Sequence, residues 1–233
     1  MNLLDHRQCT ALSRCFRGKI CDQLLGRPGR SVAKGEPVYS VGESAQSVFF
    51  LRRGLIKLTA VNEDGRELIL RLHQSGDVFG DLCHCTGERR ESAIAMEEVE
   101  IVELQFDEFI AHLQANRPAL LLFLSNVAQQ LSSAYELIQT LSFDSTMERL
   151  VRTLIRLAEE FGEPEGECVK VSHHFRQDEL AQMIGARREV VSTLLNRLRE
   201  QGAITYARKD GLLLCRHSLE RCLAECGDTP SRV

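Results

Sequence analysis

Tryptophan is absent from this 233-residue chain, and tyrosine occurs only three times. Apolar content is nonetheless ordinary for a globular protein, and the length allows one large or two small domains. No run of about 18 apolar residues occurs, which excludes a membrane-spanning helix of the usual kind. The opening MNLLDHRQCT lacks a charged segment followed by an apolar core, so no secretory signal is expected there and the cytoplasm is the expected compartment. Catalytic motifs are missing too. There is no nucleophile–base pair, no phosphate-binding Gly-Lys motif and no His-Glu zinc motif. An enzyme is therefore not expected. The Cys/His segment at 83–85 could bind metal, but no general acid or base accompanies it.

Cysteine, by contrast, is plentiful, with nine residues. In a reducing compartment these are not expected to form structural disulfides. Metal, cluster or redox roles, or simple burial, remain open. The net charge of −4 divides unevenly. Residues 170–221 carry ten Lys/Arg against six Asp/Glu, a balance of +4, whereas the remainder carries 19 against 27, or −8. A basic module on an acidic body suits a DNA reader attached to a sensor.

The basic module contains RQDELAQMIGARREVVSTLLNRLREQG, residues 176–202. Leu180, Ala181, Met183 and Ile184 give a first short helix its apolar face, and Gly185 permits a sharp turn. Val190, Val191, Leu194, Leu195 and Leu198 form the buried stripe of a second helix that Gly202 ends. This is the pattern of a helix-turn-helix, whose second helix reads the major groove. After it, AITYARKDGLLLCR alternates like a hairpin with a turn at Lys209-Asp210-Gly211, which predicts a wing. A last helix is expected over 218–225.

Upstream, residues 31–106 are punctuated by glycines at 35, 42, 54, 65, 76 and 80 between short apolar runs. Asn62-Glu63-Asp64-Gly65 reads as a hairpin turn, and the whole as a β-barrel or β-roll. Residues 107–143 read as helical. Leu120, Leu124, Val127, Leu131, Ala134, Ile138 and Leu141 alternate at spacings of four and three, a heptad seam that predicts pairing with a second copy. A second apolar set, Leu121, Leu122, Phe123, Tyr135 and Leu137, lies off the seam and could pack on the barrel. The alternative is a helix buried within one chain. Asp144-Ser145-Thr146 interrupts as a candidate hinge, with Ser145 and Glu148 as a capping box for a helix to Phe161. GEPEGE (162–167) reads as a polar loop and VKVS as a strand.

The order of β-roll, heptad helix, hinge and winged helix-turn-helix resembles the CRP/FNR family of bacterial transcription regulators. The segments GESAQSVFFLRRGLIKL, GDVFGDL and LAQMIGARREVVSTLLNRLREQGAI carry the likeness. It implies an α+β chain: a Cys-containing segment at 1–30, a jelly-roll-like sensor at 31–106, helices including the dimerisation helix at 107–143, a winged helix-turn-helix at 144–226 and a tail at 227–233. It also implies a homodimer that binds a two-fold-related double-stranded DNA site, contacts RNA polymerase and has no membrane role.

Within that frame, Arg188, Glu189, Ser192 and Thr193 are the expected base readers. Arg suits guanine, Glu suits cytosine, and Ser or Thr are permissive. Thr193 stands where relatives often carry Arg. Arg176, Gln177, Arg187, Arg197, Arg208 and Lys209 are the expected phosphate contacts. The effector pocket corresponds to Gly80, Asp81, Leu82, Glu91 and Ser92. Cyclic-nucleotide-binding relatives have an Arg-Ser pair where Glu91-Ser92 is read here, and a carboxylate there repels phosphate. Cyclic AMP is therefore not the expected effector. Cys9, Cys15, Cys21, Cys83 and Cys85 are the candidate metal ligands, because oxygen-sensing relatives keep iron–sulfur ligands before the roll. A [4Fe–4S] cluster, a thiol switch, zinc, haem through His84 or a nearby Cys, and incidental burial with another effector all stay open. Cys168, Cys215, Cys222 and Cys226 are expected to be structural. A β-roll regulatory subunit without a DNA role is a further alternative.

Overall fold

The computed structural model describes residues 27–80, 87–206 and 211–227. The chain falls into two compact units, divided between Tyr135 and Glu136.

The first unit is a β-roll of two four-stranded sheets with antiparallel pairings. One has the order β1 (Arg30–Val32), β8 (Val99–Gln105), β3 (Ser47–Arg53), β6 (Val78–Phe79). The other has the order β2 (Pro37–Tyr39), β7 (Ser92–Ala95), β4 (Leu55–Val61), β5 (Glu67–Gln74). Strand β3 shows why the sequence lacks clean alternation there. Phe49 and Leu51 join a cluster drawn from both sheets, with Tyr39, Ile56, Phe79 and Ile101. Their neighbours Val48 and Phe50 join Val102 and Leu104 in a second cluster with Phe109, Leu113 and Ala119. Both faces of the strand are covered, so it reads as a continuous apolar run. The Asn62–Gly65 turn joins β4 to β5 as expected, closed by the Asn62 amide donating to the Arg66 carbonyl and the Gly65 amide to the Asn62 carbonyl.

The helical stretch is two helices, α1 (Phe106–Ala115) and α2 (Arg117–Phe143). They separate at Asn116, whose side-chain oxygen accepts the Ala119 amide at 3.2 Å and caps α2. Leu120, Leu122 and Phe123 pack on the roll. Leu120, placed by its spacing in the seam, thus belongs to the roll-facing set. Leu121 and Tyr135, expected to be off the seam against the roll, are 54 % and 57 % exposed.

In the second unit, α3 (Thr146–Phe161) begins with the expected capping box. Glu148 donates its amide to the Ser145 hydroxyl at 3.3 Å, and the Glu148 carboxylate accepts the Ser145 amide at 2.7 Å. Asp144, in the candidate hinge, pairs with Arg152 at 2.8 Å. The sheet order is β11 (Ile204–Tyr206), β12 (Leu212–Leu214), β10 (Cys168–Val171), β9 (Gly162–Glu165). The expected polar loop at 162–167 is therefore mostly the edge strand β9. An edge needs no apolar alternation and tolerates Pro164, so composition concealed it. Helices α4 (Gln177–Ile184), α5 (Arg188–Glu200) and α6 (Arg216–Gly227) complete the unit, α6 being longer than expected.

Cys168 and Cys215 are joined in a disulfide, contrary to the expectation of no such bond. The physical reason is register. Val169 pairs with Leu214 across β10 and β12, so the next residues outward stand opposite one another. Cys222 and Cys226 are free; Cys222 is buried, and burial pushes both thiols up, away from reactivity.

Candidate nucleic-acid interface and effector pocket

The helix-turn-helix is built from a short apolar hub. Leu180, Ala181, Met183 and Ile184 of α4 are all buried, as are Val191, Leu195 and Leu198 of α5. Gly185 takes a left-handed conformation, φ 62° and ψ 37°, and its amide and that of Ala186 both donate to the Ala181 carbonyl. That conformation costs a residue with a Cβ about 1–2 kcal/mol, so glycine is the natural choice where α4 must end within one residue. Glu179 is buried and accepts from the Arg176 amide at 2.8 Å and from its guanidinium at 3.0 and 3.1 Å. This closes the start of α4. Arg176, expected at phosphate, is thus already engaged with a carboxylate.

The four expected base readers lie together at the start of α5. Arg188, Glu189 and Thr193 are exposed and Ser192 is half-buried. Arg188 faces Asp178 across the turn, Nε to Oδ1 3.6 Å. The Thr193 hydroxyl donates to the Glu189 carbonyl at 3.0 Å, which fixes its rotamer. Val190, expected in the buried stripe, is instead 42 % exposed. It stands in the first turn of α5, among the readers, where an apolar side chain can meet a thymine methyl. Half-buried Leu194 lies between the two faces. Arg187 and Arg197 are exposed and Gln177 is half-buried, which leaves all three open to solvent. Arg208 and Lys209 lie outside the described residues. The hairpin that would carry them is present, with Ile204 opposite Leu214 and Tyr206 opposite Leu212.

In the roll, only part of the expected pocket lies within the described residues. Asp81, Leu82, Cys83, His84 and Cys85 lie outside the described residues, as do Cys9, Cys15 and Cys21. Glu91 accepts from the Tyr39 hydroxyl at 3.3 Å, and the Ser92 hydroxyl accepts the Val41 amide at 3.0 Å. The side chain brought to Gly80 is that of Arg89. It is 2 % exposed and its guanidinium donates to the Gly80 and Ser47 carbonyls. It also lies 4.2 Å over the Tyr39 ring. Its Nε is buried without a partner, and no carboxylate among the described residues pairs with it. A Cβ on Gly80 would come within 2.9 Å of this guanidinium, so glycine is required for the approach. The sequence shows Arg89-Arg90-Glu91 as a run and gives no phase by which to choose the inward cation. Among the described residues no group of three or more His, Cys, Asp or Glu is placed to hold a metal ion.

Residues 29–116 match the family profile described as a cyclic nucleotide-binding domain, and residues 148–222 that of a Crp-like helix-turn-helix domain. A CRP-like cAMP-activated global transcriptional regulator of Mycobacterium tuberculosis (strain H37Rv) is 31% identical, covering 77% of this chain and 81% of that protein. The chain belongs to the CRP/FNR family. A global nitrogen regulator of Synechocystis is 28% identical over 85% of this chain and 89% of its own. A CRP-family transcriptional regulator from Thermus thermophilus has the same fold, with a TM-score of 0.69 and 27% identity over 84% of this chain and 96% of that one. This CRP/FNR chain is accordingly a DNA-binding transcription regulator, and its family consists of regulators rather than enzymes. No helix among the described residues is long and apolar enough to cross a membrane.

Proposed function

We propose that this CRP/FNR regulator works in the cytoplasm as a homodimer that reads a two-fold-related DNA site, contacts RNA polymerase, and takes a redox, oxygen or nitric oxide signal through its cysteines. The dimer is supported by the outer face of α2, where Leu124, Leu131 and Ile138 are 54 %, 53 % and 59 % exposed. These three share the heptad seam with exposed Ala134 and half-buried Val127 and Leu141. A row of exposed aliphatics at that spacing is the surface a second copy buries.

The observation that carries the DNA reading is the division of α5. Its buried face fixes the helix on α4, and its exposed first turn groups Arg188, Glu189 and Val190 beside Ser192 and Thr193. Selection from random duplexes, followed by footprinting, should yield a two-fold-related site. The signal reading rests on Cys9, Cys15, Cys21, Cys83 and Cys85 as candidate ligands of a [4Fe–4S] cluster or as reactive thiols. Anaerobic purification with iron and sulfide analysis tests it: iron and sulfide in similar amounts, lost in air together with a change in DNA binding, is the expected result. Iron-free, air-insensitive protein would refute it.

One observation favours a second reading. Arg89 is a buried cation beside Gly80 without a described counter-ion, which suits a small anionic effector such as a cyclic nucleotide. Calorimetric titration with cyclic AMP and related phosphodiesters decides this reading, and silence of every ligand would reject it.

A further inference from the structure

We infer that Cys168 and Cys215 form a reversible thiol–disulfide site that controls the wing of the DNA-binding unit, separate from the cysteines proposed to receive the signal in the first unit. Three observations converge on the pair. The register of β10 and β12 sets the two residues directly opposite each other, with Cα atoms 4.3 Å apart, so the bond closes without moving either strand. Both residues are half-buried rather than sealed in the core, and a small thiol can approach a partly exposed disulfide. And the bond spans 47 residues, enclosing α4, α5 and the β11–β12 hairpin in one covalent loop.

The position of Cys215 gives the site its polarity. Helix α6 starts at Arg216, and the Cys215 carbonyl accepts the Leu219 amide at 3.0 Å, the first bond of that helix. Cys215 stands at the N-terminal, positive end of the α6 dipole, which makes it the better leaving group of the pair. A dithiol reductant therefore attacks Cys168 Sγ. The Cys168–Cys215 bond breaks, a mixed disulfide forms on Cys168, and Cys215 leaves as thiolate and takes a proton. The second thiol of the reductant then displaces Cys168. The reductant ends as a disulfide, and two electrons and two protons reside on the protein thiols. Oxidation by a diazenedicarboxamide-type oxidant runs the balance the other way.

The backbone ties this chemistry to DNA reading. The Cys215 amide donates to the Ala203 carbonyl at 3.0 Å, and the Ala203 amide donates to the Leu198 carbonyl at 2.9 Å in the last turn of α5. The disulfide is thus two hydrogen bonds from the recognition helix. With the bond open, β12 is held on β10 by only three residue pairs, Val169–Leu214, Lys170–Leu213 and Val171–Leu212. The reduced wing is looser, and DNA binding weakens with it.

The test uses the full chain. Mass spectrometry after alkylation in denaturant follows each cysteine as dithiothreitol or diamide is applied. Hydrogen exchange reports on residues 203–214, and anisotropy reports on a duplex obtained by the selection proposed for the DNA site. Diamide should link the peptides bearing Cys168 and Cys215. Dithiothreitol should free both, speed exchange across β11 and β12 several-fold, and weaken DNA binding several-fold. The Cys168→Ser/Cys215→Ser double variant should match the reduced protein under both reagents. A pair that never oxidises, or exchange and binding indifferent to its state, would overturn the inference. So would a redox response that persists undiminished in the double variant, since it would belong to the other cysteines. Hydrogen exchange on the unmutated chain decides the matter if the variant fails to fold. It also decides it if no duplex is bound, an outcome that would count against the proposed site rather than the thiol pair.

Discussion

Removing the Arg188 guanidinium tests the DNA reading at its most exposed point. Arg188 opens α5, its side chain is 63 % exposed, and it faces Asp178, itself 51 % exposed, at 3.6 Å. An ion pair so open to water is worth about 0–1 kcal/mol. A bidentate contact from Arg to guanine is worth about 1–3 kcal/mol of discrimination. Binding therefore exchanges a weak partner for a stronger one, and Arg188→Ala should cost about 1–3 kcal/mol per half-site, less whatever the free protein loses with Asp178. This corresponds to roughly 5- to 150-fold in affinity per half-site, compounded over the two half-sites of a dimer. Asp178→Asn should act in the opposite direction. It frees Arg188 and removes a negative charge near the reading face, raising affinity by up to about fivefold on all duplexes alike. The assay is fluorescence anisotropy on the selected site and on variants changed at each guanine, at two salt concentrations. Arg188→Ala should lose its preference at one base pair and its two-fold mate. Unchanged affinity and an unchanged footprint for Arg188→Ala would refute the assignment of α5 as the reading helix.

Further substitutions test the rest of the reasoning. Leu131 is half-exposed, so dimerisation buries about half of a leucine worth about 1.5–3 kcal/mol, twice over per dimer. Leu131→Glu should raise the dimer dissociation constant roughly tenfold or more, and an intact dimer in sedimentation equilibrium would reject the α2 interface. Gly185→Ala places a Cβ at φ 62°, costing about 1–2 kcal/mol and lowering Tm by roughly 5–15 °C; an unchanged melting curve would contradict the turn geometry. Ser145→Ala should remove about 1 kcal/mol at neutral pH. The Ser145 hydroxyl and backbone amide hold the Glu148 carboxyl below its ordinary range. Its folded value lies under the unfolded one of about 4.3, so this contribution is complete above that pH and is lost as pH falls through the lower folded value. The stability gap between wild type and Ser145→Ala should therefore narrow in acid, and a gap independent of pH would show that the capping box does not carry it.

The parts legible in the sequence are those where one local rule dominates. Gly185 between two apolar stripes, Ser145 three residues before Glu148, and Asn62 to Gly65 between β-rich runs each describe a structure closed within a few residues. The parts that were hidden depend on distant partners. Strand β9 carries Glu163, Pro164 and Glu165 and pairs only along one edge, so nothing in its composition marks it. Cys168 and Cys215 become neighbours only through the register of β10 on β12. Val190 sits at apolar spacing yet is 42 % exposed, because the apolar spacing does not fix which residues of the first turn of α5 meet a neighbour.

Arg89 is the most consequential of these, because its placement bears on the signal. A one-residue slip along an extended segment reverses the face of every side chain. Arg89 and Glu91 are two residues apart and share a face of an extended segment, with Arg90 on the other, so alternation alone separates Arg90 from the pair and does not rank Arg89 against Glu91. Among the described residues the buried Arg89 guanidinium meets the Gly80 and Ser47 carbonyls and the Tyr39 ring, and Glu91 accepts from the hydroxyl of that same Tyr39. Burying a guanidinium with one nitrogen unpaired is costly. Arg89→Ala separates the two readings of the sensor. If an anion is the effector, the substitution abolishes its binding and its influence on DNA affinity while leaving a redox response intact. If the cysteines alone receive the signal, DNA affinity in air and under anaerobic conditions changes by the same factor in Arg89→Ala as in the unmutated chain, and no phosphodiester binds either protein.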